Sequence, residues 1–377
     1  MRLGGTRRRT PRRISVVAAT ALAAVAAAVG VAIGPAASSA KSGADGGSMP
    51  ALNHVFVIML ENHSKSSVLG DPNAPFINHL ASEYAVAGNY YGVTHPSEPN
   101  YVAAISGSNW WTNNDNPDNR FDHLNLVDEL EAHHKTWAAY MEAMPSAGYL
   151  GDYWPDSSTP LYASKHNPFV LFDDIRNDPE RLSHDKPYTE LAHDLNSGRA
   201  PDFVWITPDQ CNDMHGGVYS AVPDHPETPC PYGNTKDDPN DAALKQKADA
   251  FVKQAVTTIM SSRAWTGNSA IFIVTDEDDY TGNSATDGWE SAEGCCDSPV
   301  VPANDPDVPG WQGGVYGGGL IPAVIVTTHG KRGGYTSNTP YNHYSLLRTI
   351  EDAWGLDRLG YTSDTAQVQS MSEFFTH

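Results

Sequence analysis

Apolar positions along the chain fall into short continuous runs separated by stretches of helical period. Four runs, His54 to Leu60, Phe203 to Ile206, Ala270 to Thr275 and Ile321 to Thr327, are unbroken rather than alternating, the pattern of strands buried on both faces. From about Asn240 to Met260, Leu244, Ala248, Phe251, Val252, Ala255 and Ile259 recur on one helical face. A second helix spans about Tyr341 to Trp354 and stops at Gly355. Strands alternating with helices predict an α/β fold, a largely parallel central sheet sandwiched by helices.

Each apolar run ends on polar residues: Glu61-Asn62-His63, Thr207-Pro208-Asp209, Asp276-Glu277 and Thr328-His329. In open α/β sheets ligands bind beyond the carboxyl ends of the strands, so these four ends are expected to converge on one crevice. A polar residue that merely ends a strand is the ordinary reading of any one of them; four with this chemistry favour a site.

The first forty residues carry a different pattern. Six arginines, from Arg2 to Arg13, precede an Ala/Val-rich run from Ile14 to Ile33, and Ser38-Ser39-Ala40 offers a small-residue cleavage site. The expected organisation is a signal peptide over 1–40, a flexible linker over 41–50 and a single catalytic domain over 51–377. Arg12-Arg13 suits twin-arginine export, and the general secretory route stays open. No later stretch is apolar enough to span a bilayer, so no stable membrane insertion is expected after cleavage.

Removing six of the 24 basic residues and none of the 45 acidic ones leaves the mature chain at a formal charge of −27. Such a field disfavours nucleic acid and anionic membranes as partners. An anionic substrate would need a local positive source, a metal ion or a helix N-terminus.

The segment Thr94-His95-Pro96-Ser97-Glu98-Pro99-Asn100-Tyr101 reads as a turn feeding a helix, with Ser97 at the N-cap and Pro99 in the first turn. A hydroxyl there lies beside free backbone N–H groups, which suits a phosphate; simple capping is the alternative. Asp276, Glu277, Asp278 and Asp279 crowd four acids together, which a divalent cation would relieve, with Glu61 and Asn62 as further oxygen ligands; a solvated acidic loop is the alternative. His215, His343 and His166 lie among polar residues at element ends and are candidates for contacting phosphate or protonating a leaving group. The four cysteines, Cys211, Cys230, Cys295 and Cys296, suit two disulfides in an oxidising compartment. Their spacing matches no zinc motif. Adjacent cysteines seldom bridge each other, so longer-range partners are expected for Cys295 and Cys296.

Taken in order, HVFVIMLENH (54–63), THPSEPNY (94–101), KHNPF (165–169), TPDQCNDMH (207–215), DEDDY (276–280) and TPYNHYSLLRTIE (339–351) resemble the secreted phosphoesterase family that unites bacterial and fungal acid phosphatases with phosphocholine-type phospholipases C. That family is similar to the alkaline phosphatase superfamily. The resemblance implies an alkaline phosphatase-like fold and one divalent metal held by Glu61, Asn62, Ser97, Asp276 and Glu277. It makes Ser97 the nucleophile and places His166, Asp213, His215 and His343 around the phosphate, with His343 or His215 as acid and Asn100 a further substrate contact. Calcium, magnesium or manganese suits these oxygen donors, and zinc is possible. Within the same segment, a Cys211–Cys230 disulfide would fix the loop.

Phospholipase members often carry Glu-Asn-Arg-Ser and Asp-Glu-His-Gly-Gly where this chain has Glu61-Asn62-His63-Ser64 and Asp276-Glu277-Asp278-Asp279-Tyr280. The expected function is therefore a secreted acid phosphatase acting on small phosphate esters. A phospholipase C acting on phospholipid head groups is the alternative, for which Trp110-Trp111 would serve at an interface or simply wall a pocket. An extracellular calcium-binding protein is the alternative outside enzymes.

Overall fold

In the computed structural model, which describes residues 49–233, 238–278, 290–306 and 308–375, the apolar runs form the middle of an eight-stranded sheet. The leader over 1–40, most of the linker and Asp279 lie outside the described residues. In chain order the strands are β1 (His54–Leu60), β2 (Ala85–Tyr91), β3 (Trp137–Met141), β4 (Asp185–Pro187), β5 (Phe203–Thr207), β6 (Ser269–Thr275), β7 (Ala323–Thr327) and β8 (Tyr335–Asn342). Across the sheet their order is β8-β2-β7-β6-β1-β5-β3-β4. All run parallel except β7, which is antiparallel to both neighbours. The four longest helices among the described residues are α1 (Pro75–Glu83), α2 (Ser97–Ser106), α3 (Pro239–Ser261) and α4 (His343–Trp354). Among the described residues, no helix is long and apolar enough to cross a membrane.

The unbroken apolar pattern of β1 has a direct cause. Val55, Val57 and Met59 enter a core shared with α2 and α4, whereas Phe56, Ile58 and Leu60 enter one shared with α1 and α3. All six are essentially inaccessible, and burying each aliphatic or aromatic side chain is worth about 1.5–3 kcal/mol. On α3, Ala248, Phe251, Val252, Ala255 and Ile259 pack on the sheet, while Leu244 packs beside Cys211 and Cys230. Asn342 caps α4 by accepting from the Tyr344 and Ser345 N–H groups, and Gly355 ends it at φ 65°.

Register then determines what meets at the sheet's edge. β1 and β6 pair along their whole length, from His54 opposite Ser269 to Leu60 opposite Thr275, so Glu61 and Asp276 leave the sheet side by side. The antiparallel β7 reverses the fourth expectation. Thr328 bonds Ser269 at the amino end of β6, so Thr328-His329 lies at the end of the sheet opposite the crevice. Three strand ends converge, not four.

The cysteines pair as Cys211–Cys230 and Cys295–Cys296. The second pair corrects the expectation of longer-range partners. Cys296 takes up φ 58°, and Asn342 Nδ2 donates to the carbonyls of both residues, holding the turn. The first bridge closes a loop of sequence separation 19. Replacing Cys211 and Cys230 together with serine is expected to lower stability by about 3 kcal/mol, the loop-closure scale for such a length, as read from denaturant unfolding.

A buried carboxyl also ties the flank of the crevice to the sheet. Asn167, next to His166, donates to Asp185 Oδ2 on β4 and to Tyr162 Oη. Complete burial pushes the Asp185 pKa up to about 7. Its folded value lies above its unfolded value, so Asp185 reduces stability progressively as pH rises between the two, from about 4 to 7. Asp185→Asn, uncharged throughout, is therefore expected to gain in Tm relative to the wild type as pH goes from 5 to 8. A constant difference across that range would contradict the assignment.

Candidate active site

Ser97 is the first residue of α2, at N1 rather than at the N-cap; Pro96 holds the cap position and offers no side-chain bond. The serine hydroxyl is thereby free of capping. Its Oγ lies 3.0 Å from Glu61 Oε2 and 3.0 Å from Glu277 Oε1. Pro99 sits in the first turn, as expected.

Glu61 and Asp276 continue the β1–β6 ladder, with Asp276 N–H donating to the Leu60 carbonyl. Asn62 takes φ 51°, a conformation asparagine tolerates, and its N–H donates to Asp276 Oδ1 at 2.9 Å. Asp213, in the loop after β5, accepts from the His215 N–H through Oδ1, and its carbonyl accepts from the Glu61 N–H. His166 Nε2 lies 3.3 Å from Glu61 Oε1, and its Nδ1 lies 3.6 Å from Asp213 Oδ2. Tyr101 of α2 stacks on the His166 ring at 5.3 Å. Glu61, His166 and His215 also bring ligand atoms within 4.8 Å of one another.

Four buried polar atoms in this cluster have no hydrogen-bond partner among the described residues: Glu61 Oε1, Asp213 Oδ2, Asp276 Oδ2 and His166 Nε2. Burial, then the Asp276 and Asp213 charges, push the Glu61 carboxyl well above the usual carboxylate range. Burial likewise raises Asp213, and burial with the Glu277 charge pushes Asp276 up to about 8. His166 is driven well below its ordinary value by burial and by Lys165, which leaves a neutral imidazole able to ligate. Bare carboxylate oxygens and a neutral imidazole, dry and unpaired, are costly unless a cation is shared among them. The donor set therefore fits a divalent metal, with Glu61 between the Ser97 and His166 sides.

Two expected substrate contacts are engaged elsewhere. Asn100 accepts through Oδ1 from the Val93 and Thr94 N–H groups and donates through Nδ2 to the Thr94 and Pro96 carbonyls, so its amide shapes the loop before Ser97. His343 donates from Nε2 to the Asp276 carbonyl at 2.6 Å and receives the Tyr90 hydroxyl at Nδ1. Burial holds its pKa down at about 4. His343 therefore braces Asp276 and has no nitrogen left for a leaving group. His215 differs: Nδ1–H donates to the Gly216 carbonyl, leaving Nε2 as an acceptor 3.3 Å from Lys165 Nζ.

Three residues absent from the sequence expectation complete the cluster. His95 Nδ1 bonds Glu277 and Nε2 bonds the Ser291 carbonyl; burial opposes its charge, but Glu277 outweighs burial and raises its pKa. Lys165 bonds Asp115 at 2.9 Å. Burial works against the Lys165 ammonium, yet Asp115 and Glu61 outweigh it and hold its pKa above the ordinary lysine value. Asp115 also accepts from the Glu98 N–H at the start of α2. His95 and Lys165 stand inside the THPSEPNY and KHNPF segments, whereas Asp115 lies in an Asn/Asp-rich stretch with no distinguishing pattern.

A third layer holds the β1 loop in place. His63 bonds the Glu61 carbonyl and Asp241 on α3, and Asp241 pairs with the fully buried Lys245, which also meets Asp71.

Comparison with known proteins finds relatives over most of the chain. Over 313 residues the chain is 26% identical to an acid phosphatase of Aspergillus fumigatus, covering 82% of this chain and 56% of that protein. It is 27% identical over 322 residues to a phosphatidylinositol-3-phosphatase of Mycobacterium tuberculosis, covering 85% of this chain and 83% of the relative. The chain spans only 62% of a probable acid phosphatase of Kluyveromyces lactis, to which it is 26% identical over 84% of its own length. Among solved structures, a Vibrio parahaemolyticus protein in the alkaline phosphatase superfamily aligns over 82% of this chain and 68% of its own, at 12% identity and a TM-score of 0.47. Residues 71–225 and 230–357, most of the chain, match the Phosphoesterase family, and the protein belongs to that family.

Proposed function

We propose that the protein is an exported, metal-dependent phosphomonoesterase of the acid phosphatase type, with Ser97 as its nucleophile. The observation that carries this reading is the Ser97 hydroxyl at N1 of α2, held between the Glu61 and Glu277 carboxylates instead of capping its helix. Glu61, Asp276 and Glu277, with His166 and Asp213 on the far side of Glu61, would hold the divalent ion. When bound, the ion lowers the pKa of the serine hydroxyl and neutralises charge on the phosphate.

The chain's own residues account for the rest. Glu98 N–H is engaged by Asp115 and Pro99 has none, so the start of α2 offers the Ser97 N–H and the positive end of its dipole to an equatorial oxygen. Lys165 supplies the local positive charge that an anion needs in so acidic a protein. As the bond from Ser97 Oγ to phosphorus forms and the ester P–O bond breaks, the serine proton passes to one of the two carboxylates already accepting it. A monoanionic phosphate ester carries one proton of its own. That proton can pass to the departing alkoxide, which favours acidic conditions, while His215, its pKa held down at about 3 by burial and by Lys165, stays neutral with Nε2 facing the Lys165 ammonium. Water then cleaves the phosphoserine and releases inorganic phosphate.

The leader and the paired cysteines support export. The Mycobacterium relative is a phosphatidylinositol-3-phosphatase, and removal of a 3-phosphate is also a monoester cleavage, which supports monoesters over the diesters of a phospholipase C. Assays for phosphate released from p-nitrophenyl phosphate and for phosphocholine released from lecithin separate the two. Turnover is expected with the first; activity confined to lecithin would overturn the proposal.

A further inference from the structure

The rim of the crevice holds apolar surface that the chemistry above does not use. The loop from Asn109 to Asp115 crosses it. Trp110 is tied down, stacking on His123 at 3.6 Å and donating from Nε1 to Ser106 Oγ. Its neighbour Trp111 instead stands 85% exposed, at φ 64°. Val300, across from it, is 74% exposed. Between them lies a cleft of about 410 Å³, walled on its apolar side by Trp111, Val300 and Tyr316 with His95 and Pro96, and lined elsewhere by polar residues that include Asn113 and Asp305. Its size falls within the range of small-molecule sites, about 300–1,000 Å³. Large side chains kept in water around a concave apolar surface mark a contact for something apolar.

The cleft adjoins the nucleophile through one peptide bond and one chain of hydrogen bonds. Pro96 precedes Ser97, and His95 both walls the cleft and bonds Glu277, which accepts the Ser97 hydroxyl. At its other end the Trp111 loop carries Asp115, which bonds Lys165 and the Glu98 N–H. Whatever fills the cleft is therefore within reach of a phosphate on Ser97. The Tyr316 ring sits edge-on to His95 at 5.9 Å and to Trp311 at 5.2 Å, which braces the inner wall.

We infer that this cleft is the subsite for the alcohol part of the ester and that it selects bulky, uncharged aryl alcohols over small hydrophilic ones. The inference rests on the phosphomonoesterase reading of Ser97.

The test compares kcat/KM for 1-naphthyl phosphate and glycerol 2-phosphate in the full-length protein, its Trp111→Asn variant and its Trp111→Phe variant. Asparagine removes the apolar ring yet tolerates the backbone conformation. The ratio of the two kcat/KM values is expected to fall about tenfold in Trp111→Asn, mainly through a higher KM for the naphthyl ester, as for loss of an aromatic anchor in a pocket. Trp111→Phe should restore most of it. An unchanged ratio would overturn the inference, as would an equal fall for both esters. Vesicles of phosphatidic acid in phosphatidylcholine form a third arm: a defect confined to them would make Trp111 a membrane contact and overturn the aryl subsite. Wild-type protein inert toward both soluble esters would refute the phosphomonoesterase reading itself, and the subsite with it.

Discussion

Ser97→Ala will lower kcat toward p-nitrophenyl phosphate by about 10⁴-fold or more, while the variant keeps its fold and its bound metal. The size follows from removing the atom that forms the covalent bond, not one that merely assists it. The hydroxyl makes no capping bond and donates only to Glu61 and Glu277. Its loss therefore leaves those two carboxylates to the cation and is expected to shift Tm by only a few degrees. The same variant separates enzyme from binding protein, since a chain that only stored calcium would be indifferent to alanine at position 97. A Ser97→Ala protein with near-normal turnover would remove the basis of the proposed chemistry.

Stripping the metal is expected to have the next largest effect. Dialysis against a chelator should abolish turnover to below about 1% and lower Tm together. The Tm effect follows because binding to the native state alone stabilises it by RT ln(1 + [L]/Kd), about 4 kcal/mol at a thousandfold excess over Kd. Glu61 Oε1, Asp213 Oδ2 and Asp276 Oδ2 would then be left dry and unpaired. Returning calcium, magnesium, manganese or zinc singly identifies the ion that restores both quantities. Asp276→Asn should reproduce the loss of activity in metal-replete buffer, because an amide cannot replace the carboxylate charge. Full activity after exhaustive chelation, confirmed by elemental analysis, would contradict a metal-dependent site.

How much of this was legible in the sequence depends on the range of the interactions involved. β1 and β6 could be read directly because both faces of each are buried, giving unbroken apolar runs that end on Glu61 and Asp276. β3, whose sequence is Trp-Ala-Ala-Tyr-Met, carries no strand-specific period, and β8 is a largely polar edge strand with Pro340 at a register shift. For those reasons neither strand is legible in the sequence. The direction of β7 has no local signature at all; it is set by the route of the chain between β6 and β7, and it alone sent Thr328-His329 to the wrong end.

The site shows the same division. Local chemistry indicated Ser97 and the acidic pair, but the decisive contacts span 36 residues to Glu61 and 180 to Glu277. His95 and Lys165 gain their roles only from partners 182 and 50 residues away. His343 was placed near the phosphate by resemblance, and the fold turned both its ring nitrogens to structural partners instead. The Cys295–Cys296 bridge ran against the general rarity of such pairs and depends on the Asn342 bonds that hold its carbonyls.

The stereochemical course at phosphorus tests the central claim most directly. With an ester whose phosphate is made chiral by oxygen isotopes, and an acceptor alcohol to trap the transferred group, attack by Ser97 followed by attack of the acceptor gives two in-line inversions. The account predicts net retention of configuration. Net inversion would mean direct transfer without a phosphoserine and would contradict it.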